Sequence, residues 1–191
     1  MREIVNTVVI IVVVVLVTTK LKTGKSPLPD LFSNLINTKN MLDGDTIYIQ
    51  GMGRYNNSTL VNAKQIIEET YGVPAKIIDP LELTNDCYSN NSIDGDVCLS
   101  KFDDNKNKIL LTNESCYSNH NETFVSGLSE SHGNITLVNE TSYLGLKRVI
   151  IHEIGHNSGL EHCDNQNCVM SINRADDSHT LYFCDKCKKS L

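Results

Sequence analysis

His152-Glu153-Ile154-Gly155-His156-Asn157-Ser158-Gly159-Leu160-Glu161-His162 places two histidines four positions apart and a third six positions further on. Residues four apart share one face of an α-helix, so His152 and His156 can converge on a single ion. The preceding residues support a helix. Thr141 or Ser142 can cap it, and Leu144, Val149, Ile150 and Ile154 supply its apolar face. Gly159 reaches positive φ at low cost, so the helix can stop there and the chain can turn back, bringing His162 under the same ion. Three protein ligands leave the fourth tetrahedral position for water, which is the arrangement of a catalytic zinc site. Glu153 is adjacent to His152 and projects beside the ion, outside its ligand set. Zinc lowers the pKa of water towards ~7, and Glu153 can then take that proton and pass it to a leaving amine. From average residue usage the five fixed positions co-occur at on the order of one in ten million start sites. Incidental histidines on a structural helix are a poor explanation for the pattern.

The C-terminal cysteines come next. Cys163 follows His162 directly, then Cys168, then Cys184-Asp185-Lys186-Cys187. A C-x-x-C pair can place two thiolates on one ion, and Cys163 with Cys168 can complete a tetrahedral sulfur site. Such a site is closed, hence structural, and would staple a tail with few apolar residues of its own. The alternative is two disulfides, as an extracytoplasmic location would favour. C-x-x-C geometry suits an ordinary structural disulfide poorly, so zinc is preferred. Met170, just past Cys168, reads as ordinary core or as a methionine turn beneath the histidine site.

H-E-I-G-H-N-S-G-L-E-H-C, then C-V-M, then C-D-K-C, resembles the archaemetzincin family. The block spans residues 152–187. A weaker upstream similarity, from I-Y-I-Q-G-M-G to I-T-L-V-N, extends it over most of 46–187. The resemblance implies that His152, His156 and His162 bind a catalytic zinc and that Glu153 is the general base. It further implies that Cys163, Cys168, Cys184 and Cys187 bind a second, structural zinc, with Met170 in the Met-turn. The expected fold is α/β: a metzincin-like mixed sheet with two main helices, plus a small zinc-stapled C-terminal subdomain.

The rest of the chain fits one such domain. At 191 residues it is long enough for a single core. A net charge of −6 gives no footprint for nucleic acid. Residues 46–50 read as a strand, Ser58 as a cap for a helix carrying Leu60, Ala63, Ile67 and Tyr71, and Gly72 as its stop. Residues 75–79 are a second strand, making a parallel βαβ unit. Residues 80–106 read as irregular. Strands follow at 108–112 and 135–138, with an edge strand around 123–128. Asp30 starts a possible short helix over 30–36. Cys87 and Cys98 can pair around a loop, or stay buried thiols together with Cys116. His120, His132 and His179 are given no role. Asp176 and Asp177 read as tail caps, and Tyr182 and Phe183 as core.

The N-terminus carries an unbroken apolar run at 8–17, inside the uncharged stretch 4–19. That is close to the ~20 residues of a spanning helix. It reads as an uncleaved signal-anchor in preference to a cleaved signal peptide or a buried strand. Lys20, Lys22 and Lys25 after the run favour a cytoplasmic domain. Seven N-x-S/T triplets, at Asn56, Asn57, Asn90, Asn113, Asn121, Asn134 and Asn139, favour the opposite side. About three would arise by chance. The expectation is therefore an anchor over 1–19, a linker over 20–42 and a catalytic domain over 43–191, with its cysteine subdomain at 163–187. The domain is placed outside the cytoplasm, with secreted or cytoplasmic placement as the alternatives. The expected function is zinc-dependent hydrolysis of peptide or protein substrates. The competing reading is a non-catalytic zinc module that binds a peptide or protein partner, although such a module has no need of Glu153.

Overall fold

The computed structural model describes residues 46–89, 91–140, 142–172 and 180–191. The apolar run 8–17, the linker 20–42 and the short helix expected at 30–36 lie outside these residues, as do Asp176, Asp177 and His179. The first strand, β1 (Ile47–Met52), leads into α1 (Asn57–Tyr71) and then β2 (Ala75–Leu81), which pairs parallel to β1. The expected βαβ unit is therefore present. The cap of α1 is Asn56, two residues earlier than Ser58. Its side-chain oxygen accepts from the Ser58 N–H, satisfying one orphan donor of the first turn. Gly72 ends α1 at φ 66°, its N–H donating to Glu68 O.

Beyond β2 come the short strands β3 (Tyr88–Ser89) and β4 (Ser92–Asp94), then α2 (Gly95–Phe102) and β5 (Lys108–Leu111). Next are β6 (Cys116–Ser118), β7 (Thr123–Val125), β8 (Gly127–Ser129) and β9 (Ile135–Val138). The chain closes with α3 (Tyr143–Asn157) and the single turn α4 (Asp185–Lys188). The main sheet has the order β2-β1-β5-β9-β8, parallel except for β8, which runs antiparallel to β9 at the edge. A second sheet, β3-β4-β6-β7, was not expected. The single edge strand expected at 123–128 is in fact two strands, one in each sheet.

The two-residue period of the strands divides the core. Ile47, Ile49, Ile109, Leu111 and Val138 face α1 and α3, which also pack on each other. Met52, Leu110, Ile135 and Leu137 face the other way, against α2 and the second sheet. Both faces of the parallel strands are covered, which is why β5 and β9 are apolar throughout except at Lys108 and Thr136. Each fully buried Ile or Leu contributes about 1.5–3 kcal/mol relative to exposure. Lys108, buried on this central strand, is paired there: its Nζ reaches Asp104 at 3.0 Å and donates to the Phe102 carbonyl at 3.1 Å.

Residues 80–106 are thus not irregular. Asp94 caps α2 by accepting from the Val97 N–H at 3.2 Å, and Cys98 and Leu99 bury its inner face. Eight residues are too few to establish a helical period in the sequence. Cys87, Cys98 and Cys116 are all buried free thiols in the second core. Burial pushes the Cys98 thiol above its ordinary range and the Cys116 thiol up to about 12.

Among the described residues no helix is long and apolar enough to cross a membrane. That overturns the membrane-anchored, extracytoplasmic placement and the transmembrane helix expected from the sequence. α1 and α3 are 15 residues each, roughly 22 Å against a hydrocarbon core of ~30 Å. Each packs one face on the main sheet.

Candidate metal centre and cleft

α3 carries the motif in its last two turns. Ser142 caps it, its hydroxyl accepting from Gly145 N at 3.2 Å. His152 and Glu153 are buried on the helix. The helix stops at Asn157, and Gly159, at φ 87°, turns the chain back. Leu160 N donates to Gly155 O, holding the turn closed at 2.9 Å. His162, which is exposed, arrives beneath the other two histidines.

The ring nitrogens identify what the set can hold. His152 Nδ1 lies 2.8 Å from the Val169 carbonyl and His156 Nδ1 lies 2.7 Å from the Leu160 carbonyl. A carbonyl only accepts, so both Nδ1 atoms carry the proton and both Nε2 atoms present lone pairs. Yet His156 Nε2 is 3.1 Å from His152 Nε2 and 3.2 Å from His162 Nε2. Two lone pairs at that separation repel unless a cation lies between them. Ligand nitrogens ~2.05 Å from a tetrahedral zinc stand ~3.3 Å apart, so the spacing fits such an ion. Burial lowers the His152 pKa to about 4, against the bond to Val169, and lowers that of His156 as well. Both rings are therefore neutral near pH 7, the form that ligates metal.

Glu153 lines the cleft and is buried there. Its Oε2 accepts from the Ser129 hydroxyl at 2.7 Å, and the same hydroxyl is 3.1 Å from the Glu153 backbone carbonyl. Burial raises the carboxyl pKa to about 7, partly offset by the Ser129 bond. A Cβ on Gly127 would come within 2.5 Å of Glu153 Oε1. His152, Glu153, His156 and His162 all line one cleft of about 900 Å³, together with residues of α2, β8 and the segment around His120.

Cys163, Cys168, Cys184 and Cys187 form a second cluster, their sulfurs within 4.8 Å of one another. Cys163 Sγ is 3.6 Å from Cys184 Sγ, and Cys168 Sγ is 3.6 Å from Cys187 Sγ. The sulfurs of a disulfide stand about 2.0 Å apart, and all seven cysteines are free thiols. Thiolates on a tetrahedral zinc stand ~3.8 Å apart, so the four fit a metal and not two disulfides. Burial disfavours the Cys184 thiolate. The Cys187 N–H and the thiols of Cys163, Cys168 and Cys187 outweigh it and bring the pKa down to about 7. Met170 is fully buried beneath α3. A Cβ on Gly155 would lie 2.5 Å from its Sδ and 3.1 Å from Phe183, so the bare Cα lets both side chains close up under the helix. Phe183 is core as expected, whereas Tyr182 is half exposed.

Four contributors went unseen in the sequence. Ser129 and Gly127 act on Glu153 from another strand, and no spacing rule links positions so far apart. His132 holds positive φ (58°), and its N–H donates to His156 O at 3.2 Å. His120 lines the cleft, its backbone N–H donating to Asp96.

A model of peptidase family M54 matches residues 101–191. An archaemetzincin of Methanocaldococcus jannaschii is 30% identical over 166 residues, covering 76% of this chain and 92% of that protein. An archaemetzincin of Haloquadratum walsbyi is 30% identical over 113 residues, and the match spans 48% of this chain and only 65% of the relative. The chain belongs to the archaemetzincin family. The crystal structure of the archaemetzincin from Archaeoglobus fulgidus, complexed with malonate, superimposes with a TM-score of 0.65 at 22% identity. It covers 77% of this chain and 100% of that one. That of Methanopyrus kandleri gives 0.60 at 23% identity, over 75% and 91%. These likenesses bear on the fold, and they agree with an α/β domain of metzincin type.

Proposed function

We propose that this protein is a zinc metallopeptidase that hydrolyses peptide bonds in the cleft beside α3. The carrying observation is the convergence of three histidine Nε2 atoms in the same cleft as the buried carboxyl of Glu153. His152, His156 and His162 would hold the ion, with the Val169 and Leu160 carbonyls fixing the tautomer of the first two. Zinc bound there supplies Lewis-acid polarisation of the scissile carbonyl and acidifies water. Glu153 acts as general base and then general acid. It takes the proton from the attacking water and hands it to the nitrogen of the leaving amine. A pKa near 7 suits both halves of that transfer.

The four cysteines would hold a second, structural zinc, which favours a count of two ions per chain. The catalytic domain begins near residue 43, with 163–187 as its zinc-stapled subdomain.

The test is a mass-spectrometric digest of a diverse peptide mixture by the zinc-loaded protein beside Glu153→Ala, with zinc measured in both. Cleavage by the wild type, lost in the variant while zinc is retained, is the expected result. A folded, zinc-loaded wild type that cleaves nothing would favour a non-catalytic zinc module instead.

A further inference from the structure

We infer that the edge strand β8 positions the catalytic carboxylate, with Ser129 as a positioning residue and Gly127 as the seat for the carboxylate's second oxygen. The inference rests on the peptidase reading for Glu153. β8 pairs with β9 in the register Gly127↔Val138, Leu128↔Leu137 and Ser129↔Thr136. The period of two sends Leu128 towards the second core, where it packs against the cluster that includes its register partner Leu137. Gly127 and Ser129 share the other face, the one turned to α3.

Both residues on that face touch Glu153, and they touch different oxygens. Ser129 Oγ is 2.7 Å from Oε2. Gly127 has no Cβ. One built there would meet Oε1 at 2.5 Å and Val149 Cγ1 at 2.5 Å. Gly127 does not have positive φ, so backbone conformation does not call for glycine there. The contact with Glu153 and Val149 does. A hydroxyl has one proton, and of its two acceptors the carboxylate is the nearer: 2.7 Å against 3.1 Å for the Glu153 carbonyl.

A glutamate has three rotatable bonds, and Glu153 borders a cleft of about 900 Å³. Misplacing a reacting group by 1 Å can cost about 100-fold in rate. β8 removes that freedom from one side, by a hydrogen bond on one oxygen and a bare Cα against the other.

The experiment compares Ser129→Thr with Ser129→Val, an isosteric pair that differs in the hydroxyl, alongside Ser129→Ala and Gly127→Ala. Thr is expected to keep kcat within about threefold of wild type. Val and Ala are expected to lose about tenfold or more in kcat, with KM within about twofold and zinc content unchanged. Gly127→Ala should lose kcat in the same way. Independently of turnover, the 13Cδ resonance of Glu153 in zinc-free protein should move in the Ala and Val variants and stay in Thr. Equal kcat and an unmoved resonance in the Thr and Val variants would overturn the inference. A wild type that cleaves nothing removes the peptidase reading but leaves the resonance to decide whether Ser129 holds Glu153.

Discussion

The imidazole of His132 lies against the bare Cα of Gly159. A Cβ on Gly159 would come within 2.3 Å of its Cε1 and 2.8 Å of its Nε2. Both residues sit at positive φ, 58° and 87°, so two left-handed turns meet at the point where the chain leaves α3 for His162.

Gly159→Ala should therefore be costly on two counts, backbone strain and contact with the ring, together about 2–4 kcal/mol. The double variant His132→Ala/Gly159→Ala should recover the contact and keep the strain. Urea denaturation of the four members of that cycle measures the coupling. Strict additivity would show that the ring and the turn act separately.

Met170 fills the space beneath the helix that Gly155 leaves open. Met170→Ala should cost about 2–5 kcal/mol as an unfilled cavity. Met170→Leu should cost less than about 1.5 kcal/mol. Thermal denaturation distinguishes the two, and a leucine as damaging as alanine would mean that sulfur, not volume, matters here.

Tyr71 is fully buried at the end of α1, and its hydroxyl has no hydrogen-bond partner among the described residues. Burial pushes its pKa well above the ordinary range. Tyr71→Phe should raise stability by about 1 kcal/mol, since it removes a desolvated hydroxyl that gains nothing in the folded state. A loss of stability in urea would point to a water bonded to that oxygen.

In the zinc-free protein two buried groups titrate in opposite senses. Glu153 has its pKa raised from 4.5 to about 7, so the folded chain binds more protons and stability falls as pH rises between those values. His152 has its pKa lowered from 6.5 to about 4, so the unfolded chain binds more protons and stability rises with pH over that range. The two largely cancel between pH 4.5 and 6.5 in the wild type. Glu153→Gln should unmask the histidine. The stability of wild type relative to that variant should drop by about 3 kcal/mol from pH 4.5 to 7. A difference independent of pH would refute the burial assigned to Glu153.

Cys184→Ser should leave about one zinc per chain and weaken the histidine site as well. The link is short: Val169 N donates to Tyr182 O at 2.8 Å, and the Val169 carbonyl orients His152. Competition with a chelator reads both effects. Unchanged affinity at the histidines would mean that the tail holds its shape without metal.

What the sequence revealed was what is local. Spacings of four along a helix, a glycine just past its end and a C-x-x-C pair are set by a few consecutive residues, and these features brought His152, His156, His162 and the four cysteines together. Short apolar runs bounded by polar or turn residues likewise exposed β1, β2, β5 and β9. The second sheet escaped because its strands are two or three residues long, too few for any period to show. α2 escaped because its eight residues are too few for a helical period to show. Ser129, Gly127 and His132 matter only through partners on α3, and such partnerships are decided by packing. The N-terminal apolar run shows the opposite hazard: a strong local pattern invited a placement that no helix among the described residues supports.

The dependence of His152 on the Val169 carbonyl also has a consequence in time. His152 and His156 leave the ribosome before Val169, and before Cys184 and Cys187, which follow it. Until Val169 has been made, its carbonyl cannot hold the first ring in the folded orientation. The histidine pocket reaches its final form only once Val169 has folded back against α3, so a segment made after both helical histidines completes the cleft.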